Sequence, residues 1–559
     1  MKWRRFFHVF TALVILLWVA GLAQGQTTTQ SFSLQAGWNA IFLEVEPEST
    51  APADVFSGIN GLQSVWMWDP QTGTVEFIQD PNEMNSDKVQ WLVYYPGNQV
   101  ASNLHAIHGN TAYLINVSSA TTLVVSGEPL IPWANWKANS FNLVGFHLEQ
   151  GNEPFFGDFF SSSPAHAGQD IYVLDNLSGT WTKVIDPATT TMKKGEGFWI
   201  YCKGSSTFTG PVSVKPEQSG GLLYGKQLTE QDLVVYNNSA SDKTVSLSVS
   251  GLGANLYYWS YVEAEGMARW VQFPSPLGLS IRAGDFQKIR LGVKRAGLTA
   301  DNVYQANMTV KDSEGTSILI PMSVTGISYA GLWVGNATIN KVNEPLNAGD
   351  PTQPLKTGSE FSFRIIVHVD DSNNAKLLSQ VIQMWQQGTW KPDPNDLGKL
   401  IVDQPGHFVL LASDGQISDY YGAALRDGRP VGRRISAPAF PRITPSERAL
   451  GTFNPASGNS MSTTIVLAAD DPTNPFRHLY HPDHKVAAQS YEVTRYITLT
   501  MSDVDAEGNP IPGIFEMTQG SSQIGGIYEE TLTGLHRDPL YIKGTFLLHK
   551  VSDVATLIE

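Results

Sequence analysis

Two stretches of this sequence repeat one another at a spacing near 104 residues, so the chain is expected to build one small unit twice. The first copy reads Gly37-Trp38-Asn39-Ala40-Ile41-Phe42, then Asp54-Val55-Phe56, then Val65-Trp66-Met67-Trp68-Asp69. The second reads Ser140-Phe141-Asn142-Leu143-Val144-Gly145, then Asp158-Phe159-Phe160, then Ile171-Tyr172-Val173-Leu174-Asp175. The copies close alike, with His108 to Ile115 in one against Lys194 to Tyr201 in the other, and each then reaches a glycine, at Gly127 and Gly210. Apolar and polar residues alternate within the blocks, and Asp, Gly and Asn cluster between them, so the blocks read as strands and the gaps as turns. The first copy carries an additional stretch from Asn82 to Leu104, expected as a long loop or added hairpin.

Composition extends this β reading to the whole chain. Fifty glycines, 11% aromatic residues and only 16% charged residues among 559 suit many short strands and turns rather than long solvated helices. A formal charge of -15 without a basic face excludes nucleic acid as a partner. The N-terminus reads as an export signal over residues 1–25. Lys2, Arg4 and Arg5 precede an apolar run from Val9 to Leu22, and Ala23-Gln24-Gly25 places cleavage before Gln26. Arg4-Arg5-Phe6-Phe7 is similar to a twin-arginine signal, but the strong apolar core suits the general route. A retained N-terminal anchor is the alternative. No later segment reaches 18 apolar residues, so no transmembrane segment is expected in the mature chain. Export with Cys202 as the sole cysteine means stability must come from core burial rather than internal disulfides. N-x-Ser/Thr sequons begin at Asn116, Asn176, Asn237, Asn307 and Asn336, and matter only if the host glycosylates exported chains.

The expected fold class is all-β. After the signal come a first β module at 26–130, a second at 131–218, an immunoglobulin-like β-sandwich at 219–326 and a larger β domain at 327–559. In the sandwich, Leu233 to Tyr236 and Thr244 to Val249 flank an Asn-Asn-Ser turn, and Tyr304 to Val310 with Thr316 to Val324 form a closing hairpin across Asp312 to Gly315. In the last domain, Glu360 to Val369 is a strand and Ala375 to Gln387 pairs with it. A Pro- and Arg-rich loop follows from Arg426 to Arg448, then strands at Ser462 to Ala468, Tyr491 to Met501, Gly526 to Thr531 and Ile542 to Leu548. A sandwich or barrel core with long loops is expected. The Gly-Trp-Asn opening, the Gly-x-Gly-Phe-Trp close, the stretch Gly331-Leu332-Trp333-Val334-Gly335 and the run Asn474 to His484 together resemble large uncharacterised exported bacterial multidomain β proteins with Ig-like modules. That resemblance implies a secreted, modular protein and brings no catalytic residues.

Candidate chemistry is sparse. His478, His481, Asp483 and His484, with Asp470 and Asp471 upstream, offer imidazole and carboxylate ligands for a divalent metal. Pro475 and Pro482 argue against one helix carrying them, and the alternative is a loop held by side-chain hydrogen bonds. Asp503-Val504-Asp505-Ala506-Glu507-Gly508-Asn509 begins like a calcium loop but places Ile514 where a bidentate Glu belongs, so it reads as a turn. His368-Val369-Asp370-Asp371 likewise reads as a strand end followed by an Asp turn. Cys202 lies in the strand-like run Gly-Phe-Trp-Ile-Tyr-Cys and reads as a buried thiol. Trp66 and Trp68 share one strand face, as do Tyr172 and Leu174. They read as core, with a sugar-stacking platform as the alternative. Signature motifs of hydrolases, zinc peptidases and phosphate-binding enzymes are missing. These features point to a noncatalytic secreted or cell-surface structural or binding protein. The alternatives are an extracellular carbohydrate-binding protein, or a metal-dependent enzyme using the histidine cluster. Expected partners are a glycan or a cell-surface protein.

Overall fold

The strand Gly37–Leu43 is apolar on both faces, so it needs a packing layer on each side. The computed structural model supplies both. It describes residues 27–559 apart from 70–78, 84–90, 177, 253–254, 344–352, 380, 387–388, 405–406, 418–424, 427–428, 431–433, 437–446, 470, 472–491, 535–538 and 559. Gly37–Leu43 belongs to an antiparallel sheet ordered Gly37–Leu43, Thr111–Val117, Leu62–Trp68, Trp91–Tyr94. One face of this sheet packs Ile41, Leu43 and Tyr113 against Phe32, Leu123 and Val125 of a three-stranded sheet formed by Thr28–Leu34, Thr121–Pro129 and Val45–Pro47.

The opposite face carries Trp38, Trp66, Trp68 and Trp91, and it meets Leu143, Trp181 and Trp199 of a second four-stranded sheet. That sheet runs Ser140–Val144, Phe198–Cys202, Ile171–Asp175, Thr180–Lys183. In each sheet the opening strand lies beside the closing strand, followed by the strand of the third block. Because the side-chain period of a strand is two, Trp199 turns to the shared core while Phe198 and Ile200 turn to a third core with Phe156, Phe159 and Phe160 of the helical turn Phe156–Phe160. Trp66 and Trp68 are therefore core residues, closed over by the second sheet. Gly145 permits the close approach, since a Cβ there would lie 2.1 Å from the Phe42 ring.

The stretch Asn82 to Leu104, expected as a loop or added hairpin, contributes the first sheet's fourth strand, Trp91–Tyr94. Trp91 and Val93 alternate into the tryptophan core, and the Asn103 side chain accepts from the Val93 N–H at 2.5 Å to fix the return of the chain.

The immunoglobulin-like unit is a sandwich of two five-stranded sheets around one core that includes Leu233, Val245, Leu291, Met308 and Ile320. The strand Val212–Pro216, which precedes the boundary expected at residue 218, pairs antiparallel with Glu230–Asn237 inside this sandwich. Its buried Val212 belongs to the sandwich core. The hairpin Val303–Asp312 to Ser317–Thr325 turns as expected, with Asp312 Oδ1 accepting from the Glu314 and Thr316 N–H groups at 3.0 and 2.8 Å.

The C-terminal region is built on an eight-stranded antiparallel sheet whose middle strands are Gly331–Val342, Leu540–Ser552 and Gln523–Thr533. Its two end strands, Glu447–Thr452 and Ser460–Leu467, come alongside each other, so the sheet curls around a single core. Expectation and structure differ at Ala375 to Gln387. Only Asn374–Leu378 pairs with the preceding strand, and Ile382–Gln386 crosses to a second sheet beside His407–Leu411. Leu378, Val381 and Ile382 are all buried, and a single flat strand would have exposed one of these neighbours. Within the stretch expected as a loop, Arg434–Ser436 pairs with that crossing strand.

Replacing Trp199 with Ala should lower the unfolding free energy by about 3–5 kcal/mol, the usual cost of emptying a buried aromatic site. Urea denaturation followed by tryptophan fluorescence measures it. A loss below about 1 kcal/mol would mean the two sheets are not sharing this core.

Candidate functional site

His478, His481, Asp483 and His484 lie outside the described residues, as does the N-terminal segment 1–25. Among the described residues no group of three or more His, Cys, Asp or Glu side chains is placed to hold a metal ion, and no helix is long and apolar enough to cross a membrane. The Asp503 segment is a turn: Asp505 Oδ1 accepts from the N–H groups of Glu507 and Asn509 at 3.0 and 2.8 Å, and Gly508 takes a φ of +83°. His368 is buried with Nε2 3.2 Å from the Val554 carbonyl, and Asp370 Oδ1 accepts from Ser372 and Asn374 N–H groups. Cys202 is buried with Sγ 3.2 Å from the Gly204 carbonyl oxygen, and burial pushes its thiol up. The sequon residue Asn237 is buried, its amide donating to the carbonyls of Ser241, Ile281 and Arg282.

Other buried ionisable groups hold pieces of the fold together. The Lys194 ammonium donates to Glu44 at 2.9 Å and to the Leu148 carbonyl at 2.8 Å, linking the two repeat sheets. Burial raises the Glu44 carboxyl, and Lys194 opposes that rise. Arg295 donates to the carbonyls of Thr325, Gly225 and Leu228. In the barrel, Arg495 pairs with Glu530 at 2.5 Å, and the Tyr528 hydroxyl donates to the other Glu530 oxygen at 2.8 Å.

Among the described residues, two surfaces bring aromatic rings together with polar groups that the contacts above do not use. The first is the outer face of the sandwich sheet that contains Glu230–Asn237, Phe286–Val293 and Leu256–Val262. Along Leu256–Val262 the inward residues are Leu256 and Tyr258, so Tyr257, Trp259 and Tyr261 turn outward. Trp259, Tyr261 and Phe286 are 42%, 63% and 56% exposed. Arg290 lies 5.6 Å from the Trp259 ring and 5.4 Å from the Trp270 ring while its Nε donates to Glu230 at 2.9 Å. Lys288 pairs with Asp232 at 2.5 Å, so both of these cations are paired with carboxylates. One end is covered where Met517 and Trp270 both crowd the site of a Cβ at Gly292, and where Lys294 pairs with Glu516 of the C-terminal region. The alternating aromatics in Tyr257-Tyr258-Trp259-Ser260-Tyr261 were the available sequence signal for this face. The sequence alone drew attention instead to Trp66 and Trp68, which the second sheet covers.

The second surface is a cavity of about 120 Å³ at the junction of the two repeat sheets, walled by Trp68, Trp133, Trp136, Phe146 and Phe208. Trp136 is fixed by its N–H donating to the Phe208 carbonyl at 2.8 Å and by the His166 ring 4.0 Å away. His147, also in the wall, is hydrogen-bonded through Nε2 to Asn110 Oδ1 at 2.7 Å. Burial holds its pKa down at about 3, with the Lys194 charge adding to the effect.

No protein-family profile matches the chain, and no curated protein does. Solved structures similar to parts of it include the E. coli chaperone DraB, 10% identical, covering 28% of this chain and 90% of that one with a TM-score of 0.16. A PapD-like domain of human CEP192 is 16% identical, covering 21% of this chain and 85% of that one with a TM-score of 0.13. A Bacteroides ovatus protein of unknown function is 10% identical, covering 61% of this chain and 93% of that one with a TM-score of 0.15. At these scores the likeness assigns neither a family nor an activity.

The sign of the pH dependence follows from His147. Its folded pKa of about 3 lies below the ordinary value of 6.5, so the unfolded chain takes up the proton first as pH falls. Its contribution is complete above pH 6.5 and is lost progressively toward pH 3, amounting to about 2 kcal/mol by pH 5. Thermal unfolding should show Tm falling from pH 7 to pH 5, with a smaller fall in His147→Gln. An equal fall in both proteins would remove His147 as the cause.

Proposed function

We propose that this chain is an exported, noncatalytic structural and binding protein. In this reading two related β modules and an immunoglobulin-like unit form a rigid support, and the curled C-terminal sheet is carried beyond them. The observation that carries the binding role is the outer sandwich face, where exposed aromatic rings stand among charges already paired with each other. Such a face has apolar contact area and hydrogen-bonding edges to give a partner. The common strand order of the two repeat sheets supports duplication of one module, and the polar partners of the buried ionisable groups support a structural use for them. Incubating the purified full chain with panels of polysaccharides and peptides tests the proposal. Retention of a partner without product formation is expected, and turnover that survives repurification would contradict it.

The same face favours carbohydrate as the partner. Trp259, Tyr261 and Phe286 project from one sheet face, the arrangement that stacking on sugar rings requires, and the paired charges suit a neutral polyhydroxylated chain. Trp259→Ala should weaken retention on an insoluble or soluble neutral glycan about tenfold, near 1.4 kcal/mol, without changing Tm. A glycan panel with no retained member would rule this reading out.

A further inference from the structure

We propose that the cavity at the junction of the two repeat sheets is a separate binding site for a single pyranose ring of a neutral glycan. The proposal rests on the binding reading above, but on different residues. The cavity is about 120 Å³, near the roughly 150 Å³ that admits a benzene ring in a protein interior, which is the scale of one six-membered ring. Among the described residues its lining contains no Asp, Glu, Lys or Arg side chain, which favours a neutral ligand over an ion.

The lining divides into two kinds of surface. Trp133, Trp136 and Phe208 provide broad apolar ring faces, while Asn135 and Thr209 provide an amide and a hydroxyl group. A pyranose has the same division, with C–H groups on its ring faces and hydroxyls around its edge. A purely apolar ring would leave the amide and hydroxyl unanswered. Trp68 is buried in the wall, and its Nε1–H has no hydrogen-bond partner among the described residues. A buried donor left unpaired is costly, and a sugar oxygen is an acceptor of the kind it lacks. Trp133, by contrast, is 55% exposed although it belongs to the lining, which makes it the side chain at the mouth. Trp136 is already held by Phe208 and His166, so one aromatic wall is positioned before a ligand arrives.

The site is reached by fluorescence, because three of its walls are indoles. The full chain is titrated with methyl β-glucopyranoside, methyl β-galactopyranoside and methyl α-mannopyranoside, with indole as an apolar ring of similar size. The same titrations are run on Trp133→Ala, Trp68→Phe and Trp259→Ala. The expected result is saturable quenching by at least one methyl pyranoside, weakened about tenfold or more in Trp133→Ala and retained in Trp259→Ala. Trp68→Phe keeps the ring and removes the N–H, so it should weaken binding with little change in Tm. No saturation by any of the three pyranosides up to roughly 100 mM would overturn the proposal. So would saturation by indole alone, or pyranoside binding that Trp133→Ala leaves unchanged. Glycan retention that is lost in Trp259→Ala, with no pyranoside quenching in the unaltered chain, would overturn the cavity while leaving the sandwich face as the binding surface. Absence of retention and of quenching together would overturn both.

Discussion

Trp199 stands where two sheets meet, with the rings of Trp68, Trp91 and Trp181 at 5.5, 6.1 and 6.2 Å, all edge to face. A buried tryptophan removes some 150–250 Å² from water, worth about 4–6 kcal/mol at the usual coefficient, and edge-to-face contact adds to that. This one contact explains much of the N-terminal half. It closes the outer face of the first sheet, which is why Gly37–Leu43 can be apolar on both sides. It commits Phe198 and Ile200 to the next core, where the phenylalanines of the helical turn meet them. It also places Lys194 within reach of Glu44 and brings Gly195 opposite Phe42, whose N–H donates to the Gly195 carbonyl at 2.8 Å.

Charge is handled in the same economical way. Glu44 with Lys194, and Arg495 with Glu530 and Tyr528, are buried pairs whose separation would leave a charge in low dielectric. Arg295 instead uses backbone carbonyls at the end of the sandwich. These groups fix where elements meet. Exposed aromatic residues include Trp259, Tyr261 and Phe286 on the sandwich face and Trp133 at the junction cavity, with others, among them Trp390, Tyr496 and Phe515, in the C-terminal region.

Strand content was legible in the sequence because period-two alternation is a local property. Thr244 to Val249 falls within Lys243–Ser250, and Gly526 to Thr531 within Gln523–Thr533. What alternation does not encode is the layer that each face meets. Trp66 and Trp68 were readable as one face, yet their cover comes from Leu143, Trp181 and Trp199, more than 70 residues away. Trp91–Tyr94 lay in the stretch read as a long loop or added hairpin, and a run of four residues does not show which sheet it joins. Ala375 to Gln387 read as one strand because each half alternates, and the break between sheets shows only in the consecutive buried residues Val381 and Ile382. The turns at Asp312, Asp370 and Asp505 were legible because an Asp side chain answers the N–H groups two and four residues on. Trp259, Tyr261 and Phe286 were not singled out, since exposure of an aromatic is decided by which sheet face is left uncovered.

The central claim is that the two repeat sheets share one core and so open together. Native-state hydrogen exchange on the full chain tests it most directly. The amides of Thr111–Val117 and Phe198–Cys202, each in the interior of its own sheet, should show the same opening free energy and the same denaturant dependence. If one set exchanges through a separate opening, lower by about 2 kcal/mol or more, the sheets are independent units and the shared tryptophan core does not govern this fold.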